Sequence, residues 1–390
     1  MKTMDKAHQK HTDLAKADYG NFHRREWAIV GAPCGVIQSL ARAIVQSLGS
    51  TWQVAYIDAD HREADQPGSE TSSSMLGAGA FLQYTDKIEF ARIDRMGRPS
   101  IFQQRGALYD VDAALLNGNH FEGKRQIVLI DPRKEASLLK RLGQLSHVDL
   151  ILLAEGQEAP YPFLLEHLKV QQQALPPILP LHDIPGIALF LQKELESSQA
   201  PLMGLVLAGG KSLRMGQDKG AIAYHGMPQR EYAAHLLSPF CEEVFLSVRP
   251  DQLGEVSSAF PLLPDTFLGL GPLGAILSAF REKPNAAWLV IACDLPLLHA
   301  DTLAQLVQER RSTRVATAFQ SPENPFPEPL IAIWEPRSYP LLLQFLAQGI
   351  SCPRKTLINS DIHLIHANDT SALTNVNSPE EMVQVKKRME

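Results

Sequence analysis

The densest chemistry in the sequence is LVLAGGKSLRMGQDKG, residues 205–220. An apolar run ends in Gly209-Gly210, and Lys211, Arg214 and Lys219 follow within ten residues. Glycines let a backbone approach a ligand closely and turn its N–H groups toward an anion. Three cations beside those amides suit a triphosphate and offset the charge of a departing pyrophosphate. A second signal is WLVIACD, where Asp294 appears just as an apolar strand should emerge. A carboxylate there holds Mg²⁺, a hard ion that prefers oxygen ligands and substrate phosphates. Taken alone, Asp294 reads equally as a cap for the helix in LPLLHADTL; beside the Gly-Gly loop the metal role is favoured. Asn377 reads either as a second metal ligand or as a turn residue capping the last helix. Asp265, followed by Thr266 and the glycine-rich FLGLGPLG, reads as a turn cap or a ligand contact.

Such residues need strands to present them. In the second half the strand candidates are MGLVLAGG, CEEVFLSV, FPLLPD, AAWLVIACD, RVATAF, PLIAIW and IHLIHA. Helical stretches such as QREYAAHLLSP, GAILSAFRE and ADTLAQLVQERR lie between many of them. That alternation predicts an α/β domain with a mainly parallel sheet, whose ligands collect at the carboxyl ends of the strands. The first half opens with WAIV, a Gly-Pro-containing turn, LARAIVQSL and WQVAYID, the start of a βαβ unit. The expected organisation is a polar tail at 1–22, an α/β domain at 23–195, a linker at 196–202 around ESSQAP, and a second α/β domain at 203–390.

Composition bounds the function. The 390 residues are 45% hydrophobic and 21% charged, with a net charge of −6 shared evenly between the halves. Neither half is a polycation, which argues against nucleic-acid binding as the main task. The four cysteines, Cys34, Cys241, Cys293 and Cys352, form no CxxC pair, so neither a disulfide framework nor a zinc site is expected. The charged N-terminus has no apolar core for a signal peptide, and no stretch reaches 18 uninterrupted apolar residues. The expectation is a cytoplasmic protein with no membrane span.

The loop at 205–220 resembles the signature of molybdenum cofactor guanylyltransferases, the MobA family, in which LAGG leads through RMG to DK. The likeness extends over 201–390: PLLPD and GPLGAI, IACDLPLL, PEPLIAIW and NVNSPEE each match a family segment in order. The resemblance implies a Rossmann-like nucleotidyltransferase that uses Mg²⁺ to transfer GMP from GTP to molybdopterin. It implies nucleotide contacts at Leu207, Ala208, Gly209, Gly210, Lys211, Lys219, Leu246, Asp265, Gly271 and Asp294. Arg214, Lys219 and Asp294 take the catalytic roles, and Asp294 with Asn377 the metal. Gly271, Pro272 and Gly274 are expected as a loop beside the base. Some members carry an asparagine where VFLSVR places Leu246 and Ser247, so a side-chain contact there is missing or replaced by backbone. The acceptor pocket is expected at Glu328, Pro329 and Leu330, with Arg354 and Lys355 as cations for an anionic pterin. The loop LAGG and the GPL segment favour GTP over CTP; related cytidylyltransferases carry LAAG.

In the first half VGAPCGVIQSL stands where a phosphate loop GxxxxGK[ST] should be, and Ile37 and Gln38 replace its Lys and Ser/Thr. The surroundings resemble the MobB family of GTP-binding adaptors, a P-loop-NTPase-like fold. VAYIDADHREADQPGSETSSSMLGAGA and VDAALLNGNHFEGKRQIVLID carry the likeness, with Asn117 in place of the usual glutamate. The resemblance, less the lysine, implies a docking or adaptor module that has lost efficient GTP hydrolysis, with apo-molybdoenzymes or other cofactor-biosynthesis proteins as partners. Asp60, His61 and Asp65 read as a solvated loop or a small metal cluster. The alternatives to guanylyl transfer are a cytidylyl or other nucleotidyl transfer, and a non-enzymatic scaffold that delivers cofactor.

Overall fold

The computed structural model describes residues 21–59, 75–209 and 218–389. The expected tail and the Asp60, His61 and Asp65 cluster therefore lie outside the described residues. The chain divides into two compact units, residues 24–193 and residues 21–23 with 194–390.

In the first unit the strands are β1 (Arg25–Val30), β2 (Val54–Ile57), β3 (Leu82–Asp86), β4 (Ala91–Arg95), β5 (Ala113–Asn117), β6 (Gln126–Ile130), β7 (Val148–Leu153) and β8 (Ile178–Pro180). Six of them form one all-parallel sheet in the order β2-β5-β1-β6-β7-β8. Their near-continuous apolar runs, such as QIVLI and VDLILL, are what a parallel sheet covered on both faces requires. The helices are α1 (Cys34–Leu48), α2 (Ile101–Gly106), α3 (Glu135–Lys140), α4 (Pro162–Val170) and α5 (Ile184–Ser197). α1 buries Ile37, Leu40, Ala41, Ile44 and Leu48, a stripe at helical spacing. α5 runs to Ser197, so the expected linker begins as helix. Among the described residues β3 and β4 pair only with each other, as an antiparallel hairpin on which Leu82, Tyr84 and Ile93 are exposed.

The second unit holds β9 (Leu202–Leu207), β10 (Val244–Val248), β11 (Leu262–Pro264), β12 (Ala287–Ala292), β13 (Ala316–Gln320), β14 (Pro327–Trp334) and β15 (His363–Ile365). Its helices are α6 (Gln229–Leu237), α7 (Pro272–Glu282), α8 (Ala300–Gln308), α9 (Ser338–Ala347), α10 (Pro353–Ile358) and α11 (Pro379–Met389). The sheet order is β11-β10-β9-β12-β14-β13-β15, and β14 alone runs antiparallel to its neighbours. Alternation along β9 sends Leu202 and Val206 to one face and Met203 and Leu205 to the other. α6 and α8 cover the first face; α7, α9 and α10 cover the second. The result is a three-layer, mainly parallel, Rossmann-like α/β unit, as expected.

One ion pair is built into this core. Arg310 meets Glu335 through two parallel bonds, Nε to Oε1 at 2.7 Å and Nη2 to Oε2 at 2.9 Å, with 8% and 1% of their side chains exposed. Arg310 Nη2 also donates to the Ala200 carbonyl at 2.9 Å, which ties the start of the unit to the pair. Removing one partner strands a buried charge and costs about 3–5 kcal/mol, whereas replacing both by apolar groups of similar volume is close to neutral. Arg310→Ala is accordingly expected to lower the urea midpoint of the second unit sharply. The double variant Arg310→Met, Glu335→Leu should recover most of that loss.

Candidate functional site

β9 changes the direction of winding: the chain leaves it for β10 on one side and reaches β12 on the other. A crevice opens at such a switch point, beyond the carboxyl ends of the strands. Four parallel strands end there together. Leu207 of β9 pairs with Ser247 of β10 and with Ala292 of β12, and Val248 pairs with Pro264 of β11. Beyond those levels lie Ala208 and Gly209, Arg249, Asp265, and Cys293 with Asp294. They line a cavity of about 770 Å³, closed on one side by Phe267, Leu268, Gly271, Pro272 and Ala275 and reaching Leu330. That volume falls in the range of small-molecule sites, roughly 300–1,000 Å³.

Each polar group has a defined support. Lys219 leaves a single 3-10 turn, Lys219–Ala221, capped by the Asp218 carboxylate, which accepts from Gly220 N at 2.9 Å and from Arg230 at 2.8 Å. Lys219 Nζ donates to Asp294 Oδ2 at 3.2 Å and to Asn377 Oδ1 at 2.7 Å. The Val376 amide donates to the Asp294 carbonyl at 2.9 Å, which holds the NVNS segment against the end of β12. Ser247 Oγ donates to Asp265 Oδ1 at 2.8 Å. Burial nevertheless raises the Asp265 carboxyl above its ordinary range, against the opposing effects of Ser247 and the Arg249 guanidinium. Arg249 donates to the Gly209 carbonyl at 3.2 Å and pairs with Asp251 at 2.9 Å. Burial pushes the Cys293 thiol up to about 12, so this lining cysteine stays neutral.

The open readings resolve in part. Asp294 does not cap a helix, since α8 starts at Ala300 with His299 at its cap. Its Oδ1 is buried with no hydrogen-bond partner among the described residues. An orphaned carboxylate oxygen on a residue that lines the cavity fits a hard cation. Among the described residues no group of three or more His, Cys, Asp or Glu side chains is arranged to hold a metal. An ion at Asp294 would therefore complete its shell with phosphate oxygens and water. Asn377 spends its side-chain oxygen on Lys219, while the Glu381 amide takes the Ser378 hydroxyl as its cap. Asp265 does not cap its own turn, because the Thr266 amide goes to Ser278 Oγ at 2.8 Å.

Three expectations need correction. Leu246 is fully buried in the α6/α8 face, and strand alternation gives the cavity Ser247 instead. Gly274 is not in a loop: α7 starts at Pro272, and a Cβ on Gly274 would stand 2.2 Å from the Phe267 carbonyl oxygen, so its role is close packing. Gly271, at φ +57°, is the turn residue that lines the cavity. Arg354 is bound to Glu328 at 2.7 Å, with Pro329 buried and Lys355 exposed. Of that acceptor set only the neighbouring Leu330 lines the cavity. Gly210, Lys211 and Arg214 lie outside the described residues. Arg249 and Asp218 were missed, although Arg249 directly follows a strand and the strand-end rule that singled out Asp294 applies to it equally.

Residues 204–361 match the family model for the MobA-like NTP transferase domain. The chain is 40% identical over 189 residues to a molybdenum cofactor biosynthesis bifunctional protein of Synechocystis sp., covering 48% of this chain and 54% of that protein. It thus spans about half the length of that relative. It is 33% identical to a probable molybdenum cofactor guanylyltransferase of Carboxydothermus hydrogenoformans, over 36% of this chain and 69% of the other. It is 26% identical to one of Flavobacterium johnsoniae, over 46% and 94%.

The raised Asp265 pKa sets a pH dependence. In the window between its unfolded and folded values the native state binds more protons, so stability falls as pH rises through that window. Asp265→Asn keeps an acceptor for Ser247 and removes the titration. The variant is expected to melt above the parent at neutral pH and to converge with it in acid, as read from melting curves recorded between these limits.

Proposed function

The chain belongs to the MobA-like NTP transferase family, and from that membership we propose that residues 203–390 transfer GMP from GTP to a molybdopterin cofactor and release pyrophosphate. The observation that carries this reading is the Lys219–Asp294–Asn377 cluster at the switch-point cavity, where a cation and an unsatisfied carboxylate oxygen meet at one strand end.

The terminal phosphate of molybdopterin is an ionised nucleophile near neutral pH. Its oxygen bonds to the α-phosphorus as the bond to the bridging oxygen of pyrophosphate breaks, and no covalent enzyme intermediate is needed. The work left to the protein is alignment and charge neutralisation. Lys219, which lines the cavity, is held on two oxygens, so its ammonium is fixed before substrate arrives. Gly209 presents backbone where a side chain would crowd the Arg249 amide, 3.1 Å from its missing Cβ. Asp265 and Ser247 face the nucleotide from β11 and β10, and Gly271 and Pro272 offer a small-residue wall for a flat base. Asp294 would hold Mg²⁺, which when bound supplies positive charge to the phosphoryl oxygens and so lowers the barrier to attack. The Gly-Gly of the first loop favours guanine as the base. Lys211 and Arg214 would add cations for the leaving pyrophosphate.

The first unit is proposed as a docking module. Supporting this, Ile37, at the position of a phosphate-loop lysine, is fully buried and joins the apolar stripe of α1.

Pyrophosphate release by the full chain with Mg²⁺ and molybdopterin is expected with GTP and not with CTP. Removing one preorganised charge from such a site costs about 10²–10³-fold in turnover, and Asp294→Ala and Lys219→Ala should each show a loss of that size. Preference for CTP would overturn the base assignment, and parental turnover in Asp294→Ala would remove the metal role.

A further inference from the structure

The first unit also gathers polar side chains at the carboxyl ends of its parallel strands, but of a different chemistry. Cys34 opens the fifteen-residue helix α1 beyond β1. Its Sγ stands 3.5 Å from His120 Nε2, beyond β5, and 3.4 Å from the Asn119 side-chain amide. Asn119 is itself fixed by donating to the Ala32 carbonyl at 3.0 Å. Asp58, beyond β2, is gripped from two sides: Tyr56 donates its hydroxyl to Oδ2 at 2.6 Å, and Asn117 its amide to Oδ1 at 2.8 Å. Burial and the neighbouring carboxylate push the Tyr56 hydroxyl far above its ordinary range, so it remains a donor. His120 Nε2 lies 3.9 Å from Asp58 Oδ1. A thiol, an imidazole within reach of it, and a carboxylate held in place beside the imidazole are the parts of an activated nucleophile.

We propose that Cys34 is the nucleophile of a thiol–disulfide exchange site whose substrates are low-molecular-weight disulfides, with His120 Nε2 accepting the thiol proton and the Asp58 carboxylate, 3.9 Å from that same nitrogen, stabilising the imidazolium by charge alone. Acyl chemistry fits less well, because the Val36 and Ile37 amides at the start of α1 are spent on the Pro33 carbonyl rather than aimed at an oxyanion. Disulfide exchange needs no such hole. The Cys34 thiolate attacks one sulfur of RS–SR, the reagent's S–S bond breaks as the Cys34–SR bond forms, and the leaving thiolate takes the proton from His120. Cys34 is the sole cysteine of residues 1–200. The first unit therefore holds no second thiol to resolve the product, which persists until an external thiol attacks it.

The remaining cysteines provide an internal comparison. Cys241 and Cys293 are pushed up to about 12 by burial and stay protonated, and Cys352 is exposed. Among the described residues, Tyr56 and Asp58, from β2 and its end, face the Cys34–His120 pair.

The test uses the full chain carrying Cys352→Ser, with dithiobis-nitrobenzoate and, separately, oxidised glutathione as probes. Peptide mass spectrometry should place the mixed disulfide on Cys34, and Cys34→Ser should abolish it. In the unmodified chain at neutral pH, Cys34 should be labelled faster than the exposed Cys352. His120→Gln should slow the neutral-pH reaction by about tenfold or more and match the parent once every thiol is ionised. An unchanged rate in His120→Gln would overturn the proposal, as would, in the unmodified chain, faster labelling of Cys352 than of Cys34. Should His120→Gln fail to fold, the ratio of Cys34 to Cys352 labelling in the unmodified chain decides by itself.

Discussion

The register of β9 against its two parallel neighbours is the constraint on which the second unit's cavity depends. With Leu207 level with Ser247 on one side and Ala292 on the other, the chain emerges from three strands at one height. The pairing of Val248 with Pro264 brings a fourth strand to the same edge. Slipping any strand by one residue would exchange its two faces. In β10 that slip would send the Ser247 hydroxyl into the apolar layer and leave Asp265 unsupported. The hydrogen-bonded ladder thus fixes which polar groups share a crevice, and the two apolar layers fix the ladder.

Much of this was legible in the residues. An apolar run that ends in an acid, as WLVIACD does, marks both a strand and its exit, and the Gly-Gly pair marks the close approach after β9. The faces of β10 were not legible. VFLSV is buried on both sides, so its hydrophobicity does not alternate and gives no sign that Ser247 rather than Leu246 faces the cavity. The partners of Lys219 were also hidden, because Asn377 lies 158 residues away. Spacing along the chain carries no information about such a contact; only the completed sheet brings the two together. Gly274 misled for a related reason: a glycine in a glycine-rich run reads as loop, whereas here it admits a helix beneath a carbonyl.

The two units apply one architectural rule to different ends. Both place polar side chains where parallel strands stop, because the strands themselves are buried and only their exits meet solvent. In the second unit the exits supply glycine backbone, a lysine and carboxylates, a set suited to phosphates. In the first, the exits of β1, β2 and β5 supply a thiol, an imidazole and amides around one carboxylate, and the helix that would present a phosphate-binding lysine turns an isoleucine into the core instead. A shared scaffold therefore says little about chemistry until the residues at its exits are read.

The bond from Lys219 to Asn377 also has a temporal side. Chains grow at about 5–20 residues per second. A separation of 158 residues therefore means that Lys219 exists for roughly 8–32 seconds before its amide partner has been polymerised. Throughout that interval the ammonium lacks its bond to Asn377. The corner of the cavity where Lys219 meets Asn377 is thus among the last parts of the second unit to be completed during synthesis, long after the strands on either side of β9 are available to pair.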